Sequence, residues 1–110
     1  MNITELHVGT IGFIFERTVQ EAGAVVDIRT ATVKQMLFKA KAGEVKVKEA
    51  SFKTDGQDGT LIYTTVAGDL DVPGEWGLQI ALAMPAGTFY SNIEKFQVHE
   101  NLKEIATEDV

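Results

Sequence analysis

The sequence predicts an all-β protein, an immunoglobulin-like antiparallel β-sandwich of about seven strands, and two observations support this prediction. Short apolar runs recur roughly every 10 to 14 residues, and turns rich in Gly, Asp, Asn and Pro separate them. Helical spacing of apolar residues over more than one turn does not occur before residue 100. A small closed β-barrel is the alternative architecture.

The amino-terminal half contains three predicted strands. Residues 9–18 have apolar side chains at alternate positions, which is the period of a strand with one buried face. A short β-branched run follows at 25–28, after a turn. Residues 32–40 predict the third strand, and the shift in its alternation between Gln35 and Met36 favours a β-bulge.

Four more runs complete the predicted set of strands. Valines alternate with lysines over 45–53, and β-branched and aromatic residues fill 61–66. The clearest strand extends from Trp76 to Met84, where a large apolar side chain occupies every second position. We expect this strand to lie at the centre of a sheet. The last strand is predicted at 89–98.

The predicted sandwich ends with this strand, so the chain divides into a domain at 1–98 and a tail at 99–110. The tail is rich in charged residues, and Leu102 and Ile105 give it only a weak helical spacing. We expect this segment to become ordered when it docks on a partner.

Composition and charge exclude several classes of function. The chain of 110 residues has a formal net charge of −6. Residues 1–55 hold eight basic and seven acidic residues, whereas residues 56–110 hold two basic and nine acidic residues. Nucleic-acid binding requires a clustered basic face, so we expect none. The absence of cysteine excludes a disulfide, a thiolate zinc site and a cysteine nucleophile. No apolar run approaches the roughly 18 residues of a membrane span, so we expect no membrane contact.

The segment AGDLDVPGEWGLQIAL, at 67–82, places two aspartates beside the only tryptophan. A structural corner between two sheets is the favoured interpretation. In such a corner Asp69 and Asp71 accept hydrogen bonds from backbone N–H groups. The variant Asp69→Asn keeps the acceptor oxygen, so we expect its stability to be nearly unchanged. A paired-carboxylate acid/base site is the alternative, but no histidine, base or nucleophile lies in the same stretch. The predicted corner residues are Asp69, Leu70, Asp71, Pro73, Gly74 and Trp76.

No other pattern in the sequence predicts catalysis. The only histidines, His7 and His99, are far apart in sequence, so a metal site would need the fold to bring them together with a carboxylate. The loop at 54–60 lacks the ligand spacing and the terminal glutamate of a calcium loop. Neither Ser51 nor Ser91 lies in a Gly-x-Ser-x-Gly turn. We therefore expect no catalytic residue, no metal site and no cofactor.

Two groups of side chains have a second interpretation as binding surfaces. For a cluster of lysines, a solvated face that guards a sheet edge is favoured, and a docking face for an acidic partner is the alternative. The candidate docking residues of this alternative are Lys46 and Lys48, together with Leu102 and Ile105 of the tail. For three aromatic residues, packing is favoured over a sugar-binding site; these are Tyr63, Phe89 and Tyr90.

Three segments carry a distinctive order of strand and turn motifs: VVDIRTATVKQMLFKAKAGEV, DGQDGTLIYTTVAGDLDVPGEWGLQIAL and PAGTFYS. Together they resemble the amino-terminal immunoglobulin-like domain of phage baseplate upper proteins and related small tail and neck proteins. The resemblance covers about residues 9–98, although Trp76 replaces a more usual tyrosine and Thr65 a more usual apolar residue. The matching positions are Val26, Asp27, Ile28, Ala31, Thr32, Gly59, Leu61, Tyr63, Gly68, Asp69, Leu70, Gly74, Pro85, Gly87, Tyr90 and Ser91.

This resemblance implies a non-enzymatic structural protein of a tailed-phage virion, located in the tail, baseplate or neck. It implies that several copies assemble symmetrically with other virion proteins and that the protein is made in the host cytoplasm. One alternative is a carbohydrate-binding module that attaches the phage to its host. A bacterial adhesin or a periplasmic domain is the other alternative.

Overall fold

The computed structural model describes residues 6–101, which form an all-β protein with no helix among them. The strands, in chain order, are β1 (Leu6–His7), β2 (Ile14–Thr18), β3 (Gln20–Glu21), β4 (Ala24–Val25), β5 (Val33–Ala40), β6 (Lys46–Glu49), β7 (Ser51–Phe52), β8 (Thr60–Thr64), β9 (Gly74–Met84), β10 (Gly87–Tyr90) and β11 (Glu94–His99). Within 6–101, no helix that could cross a membrane is found. Leu102 and Ile105, from the predicted docking surface, lie outside the described residues.

These strands form three sheets. The largest has six strands, in the order β1-β11-β9-β5-β6, with β10 paired to β9 beside this path. The second sheet contains β2, β8 and β7, and the third is the pair β3 and β4. Only Ala50 separates β6 from β7, so the chain passes from the first sheet to the second at that residue.

The central strand of the largest sheet is β9. It pairs antiparallel with the whole of β5 on one side, and with β11 and β10 on the other. Alternate side chains of β9 are buried, namely Trp76, Leu78, Ile80 and Leu82. The prediction of a central strand over residues 76–84 is therefore confirmed.

Aromatic rings from the two larger sheets meet in one core. Phe15, on β2, lies 5.0 Å from Phe38 on β5 and 5.4 Å from Phe96 on β11, measured between ring centroids. Tyr63, on β8, lies 5.8 Å from Phe38. Tilted rings at these separations interact more favourably than their buried area alone would give.

One ion pair also connects these two sheets at the surface. Arg17 on β2 donates from Nε and from Nη2 to the two carboxylate oxygens of Glu94 on β11, each at 2.7 Å. This bidentate geometry fixes the orientation of the two side chains relative to each other. Because both side chains are substantially exposed, the expected stabilisation is below about 1 kcal/mol.

The structure corrects the predicted fold in three respects. Residues 6–101 contain eleven strands rather than about seven, and the parallel pairing of β1 with β11 makes the largest sheet mixed. The register of β5 with both neighbours is unbroken at Gln35 and Met36, so the predicted bulge is wrong. The apparent phase shift arises because Val33 and Leu37 lie on the outer face with Gln35, while Met36 faces the core.

The first predicted strand, at 9–18, is also shorter than expected. Strand β2 begins only at Ile14. Gly9 and Gly12 have φ values of 83° and 87°. These values lie in the left-handed region, which an extended strand does not use, and the two glycines therefore delay the strand.

Leu78→Asp tests the assigned core. Leu78 is 2 % exposed, so the variant would bury an unpaired carboxylate at a cost of several kcal/mol, enough to unfold a domain of ordinary stability. We expect urea denaturation to show little or no folded protein. The matched control is Val47→Asp, at a position that is 56 % exposed in the same sheet, which should change the free energy of unfolding by less than about 1 kcal/mol. Equal losses in the two variants would show that the core is assigned incorrectly.

Candidate functional site

The predicted corner connects β8 to β9 and inserts two large apolar side chains into the core. Leu70 is 2 % exposed and Trp76 is 1 % exposed. The carbonyl of Leu70 accepts a hydrogen bond from the N–H of Gly9 at 2.8 Å. The indole Nε1 of Trp76 donates to the carbonyl of Val72 at 3.0 Å. The loop is thus fixed by two buried side chains and by hydrogen bonds that its backbone carbonyls accept from Gly9 and from Trp76.

Pro73 and Gly74 make the turn into β9. Pro73 is exposed, and Gly74 begins the strand with a φ of 118°. A side chain at that φ would be strained, so glycine is the residue that fits this position.

Asp69 is the polar centre of the corner. Its Oδ2 accepts hydrogen bonds from the N–H of Val66, at 2.9 Å, and from the hydroxyl of Tyr63. Its Oδ1 lies 2.8 Å from Nζ of Lys48 on β6. Asp69 is 5 % exposed, and both carboxylate oxygens have partners, so this buried charge is neutralised and hydrogen-bonded.

The ionisation of Asp69 and Tyr63 follows from these contacts. Burial raises the pKa of Asp69, but the hydrogen bonds from Lys48, Tyr63 and Val66 outweigh it, and the pKa falls below its ordinary value. Burial, followed by the hydrogen bond to Asp69, raises the pKa of Tyr63. Near neutral pH the corner therefore holds a carboxylate and a neutral phenol. Neither group titrates near neutral pH, as an acid/base catalyst would.

Lys46 binds the other side of the same loop. Its Nζ donates to the carbonyls of Gly68, at 2.7 Å, and Asp69, at 2.9 Å, and lies 3.0 Å from Oδ1 of Asp71. The same ammonium group is 5.4 Å from the centroid of the Trp76 ring, within cation–π range. Lys46 therefore closes the corner against strand β6.

The structure places both lysines of the predicted docking surface in the corner. Each lysine side chain is 27 % exposed, and each ammonium group is bonded within the chain. The period-two spacing of Lys46 and Lys48 could have indicated that both side chains lie on the same face of a strand. It could not have indicated that Asp71 and Asp69 are their partners. Docking through this surface stays a prediction.

The two histidines lie close together. The parallel pairing of β1 with β11 sets His7 beside His99, with ring centroids 5.3 Å apart. Sequence reasoning missed this proximity, because a short parallel pair between the two ends of a chain leaves no local signal. Among residues 6–101, no group of three or more potential metal ligands is found.

The loop at 54–60 has the geometry of a turn. Oδ1 of Asp55 accepts from the N–H of Gln57 at 2.9 Å, and Oδ1 of Asp58 accepts from the N–H of Thr60 at 3.0 Å. These carboxylates thus cap the turn's own backbone.

The two largest of the open depressions found among residues 6–101 are candidate binding surfaces. We name the first the outer groove: it has a volume of about 340 Å³ and lies on the outer face of the largest sheet. Its apolar side chains include Leu37, Val45 and Ile93, and its lysines are Lys39, Lys41 and Lys95.

The second depression, the β10 cleft, has a volume of about 620 Å³ between β10 and the β3–β4 hairpin. Phe89 and Tyr90 line it and are 48 % and 65 % exposed. Tyr63 lies in the corner instead, so the fold separates it from the other two aromatic residues proposed for a sugar site. Polar groups of the cleft include those of Gln20 and Asn92.

Comparisons with known proteins give no relative: no protein-family model, no curated protein and no solved structure matches this sequence.

Asp69→Asn tests the corner, and the structure changes the expected result. The variant keeps an acceptor for the N–H of Val66 but removes the charge that Lys48 faces. We therefore expect the free energy of unfolding to fall by about 2 kcal/mol at pH 7, instead of staying nearly unchanged. Because the pKa of Asp69 is lowered by folding, its stabilisation is present above about pH 4 and is lost as the pH falls through the folded-state value. Urea denaturation at several pH values should therefore show parent and variant converging in acid.

Asp71→Asn is the matched control in the same loop. The Asp71 side chain is 53 % exposed, so this variant should cost less than about 1 kcal/mol. In a Lys48→Met background, Asp69→Asn should cost less than it does alone. Additive losses from Lys48→Met and Asp69→Asn would contradict the coupling between them.

Proposed function

We propose that this chain is a non-enzymatic structural protein of a tailed-phage virion, in the tail, baseplate or neck, where it acts as an assembly module. The observation that carries the assembly role is the apolar surface left exposed on a braced β-sheet scaffold. Within residues 6–101, the large apolar side chains that are at least 40 % exposed are Ile11, Ile14, Val25, Val33, Val45, Val47, Val66, Val72, Phe89, Tyr90 and Ile93.

The outer groove concentrates part of this exposed surface. Val45 is 52 % exposed and Ile93 is 61 % exposed, and three lysines lie around them. An apolar centre within a charged rim is the usual anatomy of a protein–protein interface. Lys95 is paired with Glu75 of the same groove at 3.2 Å, so Lys39 and Lys41 are the lysines that favour an acidic partner. In this proposal the partner is another virion protein or another copy of the chain.

The finer fold in this proposal is the immunoglobulin-like sandwich. Two sheets contribute aromatic rings to one core, which supports that architecture. The positions that carry the phage resemblance include Tyr63, Asp69 and Leu70, and all three hold the corner together. A resemblance located in such bracing residues supports a shared scaffold, and the virion setting rests on that resemblance.

The occupied polar groups support a role without catalysis. The corner carboxylates bond to lysines, a phenol and backbone groups, and those of the 54–60 loop bond to their own turn. The cavity beside Tyr63 and Asp69 is too small for a water molecule, and a substrate cannot reach these groups without opening the corner.

The virion role is tested in the phage that carries this gene. We expect mass spectrometry of purified particles to detect the protein, and a deletion of the gene to block the assembly of infectious particles. If the deletion phage assembles normally and wild-type virions lack the protein, the structural role is refuted.

A point variant can separate assembly from folding. Val45→Asp places a charge in the apolar part of the outer groove, and we expect the folded variant to enter particles poorly. Thr64→Asp, at an exposed position on the other large sheet, is the matched control and should enter normally. Normal incorporation of Val45→Asp would show that the outer groove is not the contact surface.

A carbohydrate-binding host-attachment module is the second candidate, and the β10 cleft favours it. Exposed aromatic faces beside amide and carboxylate groups can stack on a sugar ring and bond its hydroxyls, and here Phe89 and Tyr90 lie near Gln20, Glu21 and Asn92. If this candidate is correct, calorimetry with host-surface glycans will detect binding that Tyr90→Ala abolishes and Val45→Asp retains. An absence of binding to every host glycan would remove this candidate.

A further inference from the structure

The histidine pair, His7 and His99, lies near the two ends of the described residues. Strand β1 is an outer strand of the largest sheet and pairs parallel with β11. Within this pairing His7 is the direct partner of His99, and Leu6 is the direct partner of Val98. Leu6 and Val98 are buried in the core. Because successive side chains of a strand point to opposite faces, both histidines lie on the outer face of the sheet.

The separation of the two imidazole rings fits two ligands of one metal ion. Their centroids are 5.3 Å apart, and their planes are inclined by 42°, so the rings are not stacked face to face. A zinc ion lies about 2.0 to 2.1 Å from each imidazole nitrogen, which places the centroids of two imidazoles on one tetrahedral ion roughly 5 Å apart. Two histidines one turn apart on a helix form such a pair of ligands at a similar spacing.

The surroundings of the histidine pair leave room for an ion from solvent. His99 is exposed and His7 is half-buried. On the same face of β9, Glu75 is opposite Gln97 and bonds to Lys95 at 3.2 Å, so its carboxylate is directed to that lysine. The pair therefore supplies two protein ligands, in agreement with the absence of a group of three among residues 6–101.

We propose that His7 and His99 together bind one divalent transition-metal ion, such as Zn²⁺, with water in the remaining positions. Imidazole nitrogen suits zinc, copper and nickel, whereas magnesium and calcium prefer oxygen ligands. The sequence led us to expect no metal site because the two histidines are far apart along the chain, and the β1–β11 pairing removes that distance. The inference goes beyond the proposed assembly function and does not depend on it.

A bound ion would hold β1 against β11. Strand β1 has only two residues, so its pairing supplies few hydrogen bonds. An ion that binds the paired histidines, but not the separated ones, stabilises the folded state increasingly as its concentration exceeds its dissociation constant. Two protein ligands bind an ion more weakly than the four of a structural zinc site. The site therefore fills only at raised zinc concentrations, and it then acts as a clamp on β1.

Calorimetric titration with Zn²⁺ tests the site. We expect one ion per chain in the parent, and binding that is weaker by at least about tenfold in His99→Gln and in His7→Gln. Because His99 is exposed, its variant should keep the fold. Glu75→Gln is the matched control, since it removes an exposed acid from the same face but no proposed ligand, and its affinity should equal that of the parent. Equal affinities of the parent and His99→Gln would overturn the proposal.

Nuclear magnetic resonance identifies the ligands directly. The chain contains only two histidines, so its spectrum has two imidazole Cε1–H signals. We expect both signals to shift together as Zn²⁺ is added and to stop shifting at one ion per chain, while Mg²⁺ shifts neither. A shift of one signal alone would show that the two histidines do not share an ion.

Thermal unfolding and sedimentation test the clamp. Saturating Zn²⁺ should raise the melting temperature of the parent but not that of His99→Gln, and an unchanged parent would overturn the clamp. One ion per two chains, with a doubled mass, would show that the ion joins two copies, which contradicts a site within one chain. If zinc binding is absent while the protein is found in virions, this inference is refuted and the assembly function stands.

Discussion

The ion pair between Lys48 and Asp69 is the contact that fixes the position of the corner in the described structure. It joins the edge strand β6 to the loop that leads into the central strand β9. The same carboxylate holds Tyr63 of β8 and the backbone of Val66. Removing one partner would leave a largely buried charge without compensation, which costs more than the pair itself contributes. The corner therefore stabilises the fold mainly because any alternative arrangement of the chain would leave Lys48 or Asp69 without its partner.

The sequence was informative where a local pattern decides the structure. Alternation from Trp76 onward was sufficient to predict β9 as a strand with one buried face, because a strand places every second side chain on the same side of the sheet. The corner also follows from local chemistry: aspartate accepts N–H groups in turns, and glycine tolerates a positive φ such as that of Gly74.

Features that depend on distant parts of the chain could not be predicted in this way. The partners of Lys46 and Lys48 are at least 20 residues away in sequence, and a lysine on an exposed strand has the same pattern whether or not it has a partner. The pairing that sets His7 beside His99 involves only two residues on each strand. A two-residue strand has no periodicity to detect, so the count of strands was too low.

The residues that hold the fold together differ from the residues that remain available for a partner. Charged residues lock the corner and, through Arg17 and Glu94, link the two larger sheets. Apolar residues that the core does not use lie in the outer groove and along β10. A scaffold whose charges are paired internally keeps its shape when its apolar surfaces are covered. Rigid binding of this kind avoids the entropy that a disordered segment loses when it folds on a partner.

The position of Trp76 gives the corner an optical signal of its own. It is the only tryptophan in the chain, it is 1 % exposed, and its ring lies between the Lys46 ammonium, at 5.4 Å, and Phe96, at 6.2 Å. A buried indole emits at shorter wavelengths than one in water, and a nearby cation alters its emission further. The intrinsic fluorescence of this protein therefore reports on a single place. Because Trp76 also lines the outer groove, a change in its emission spectrum would report either that the corner has opened or that a partner has bound in that groove.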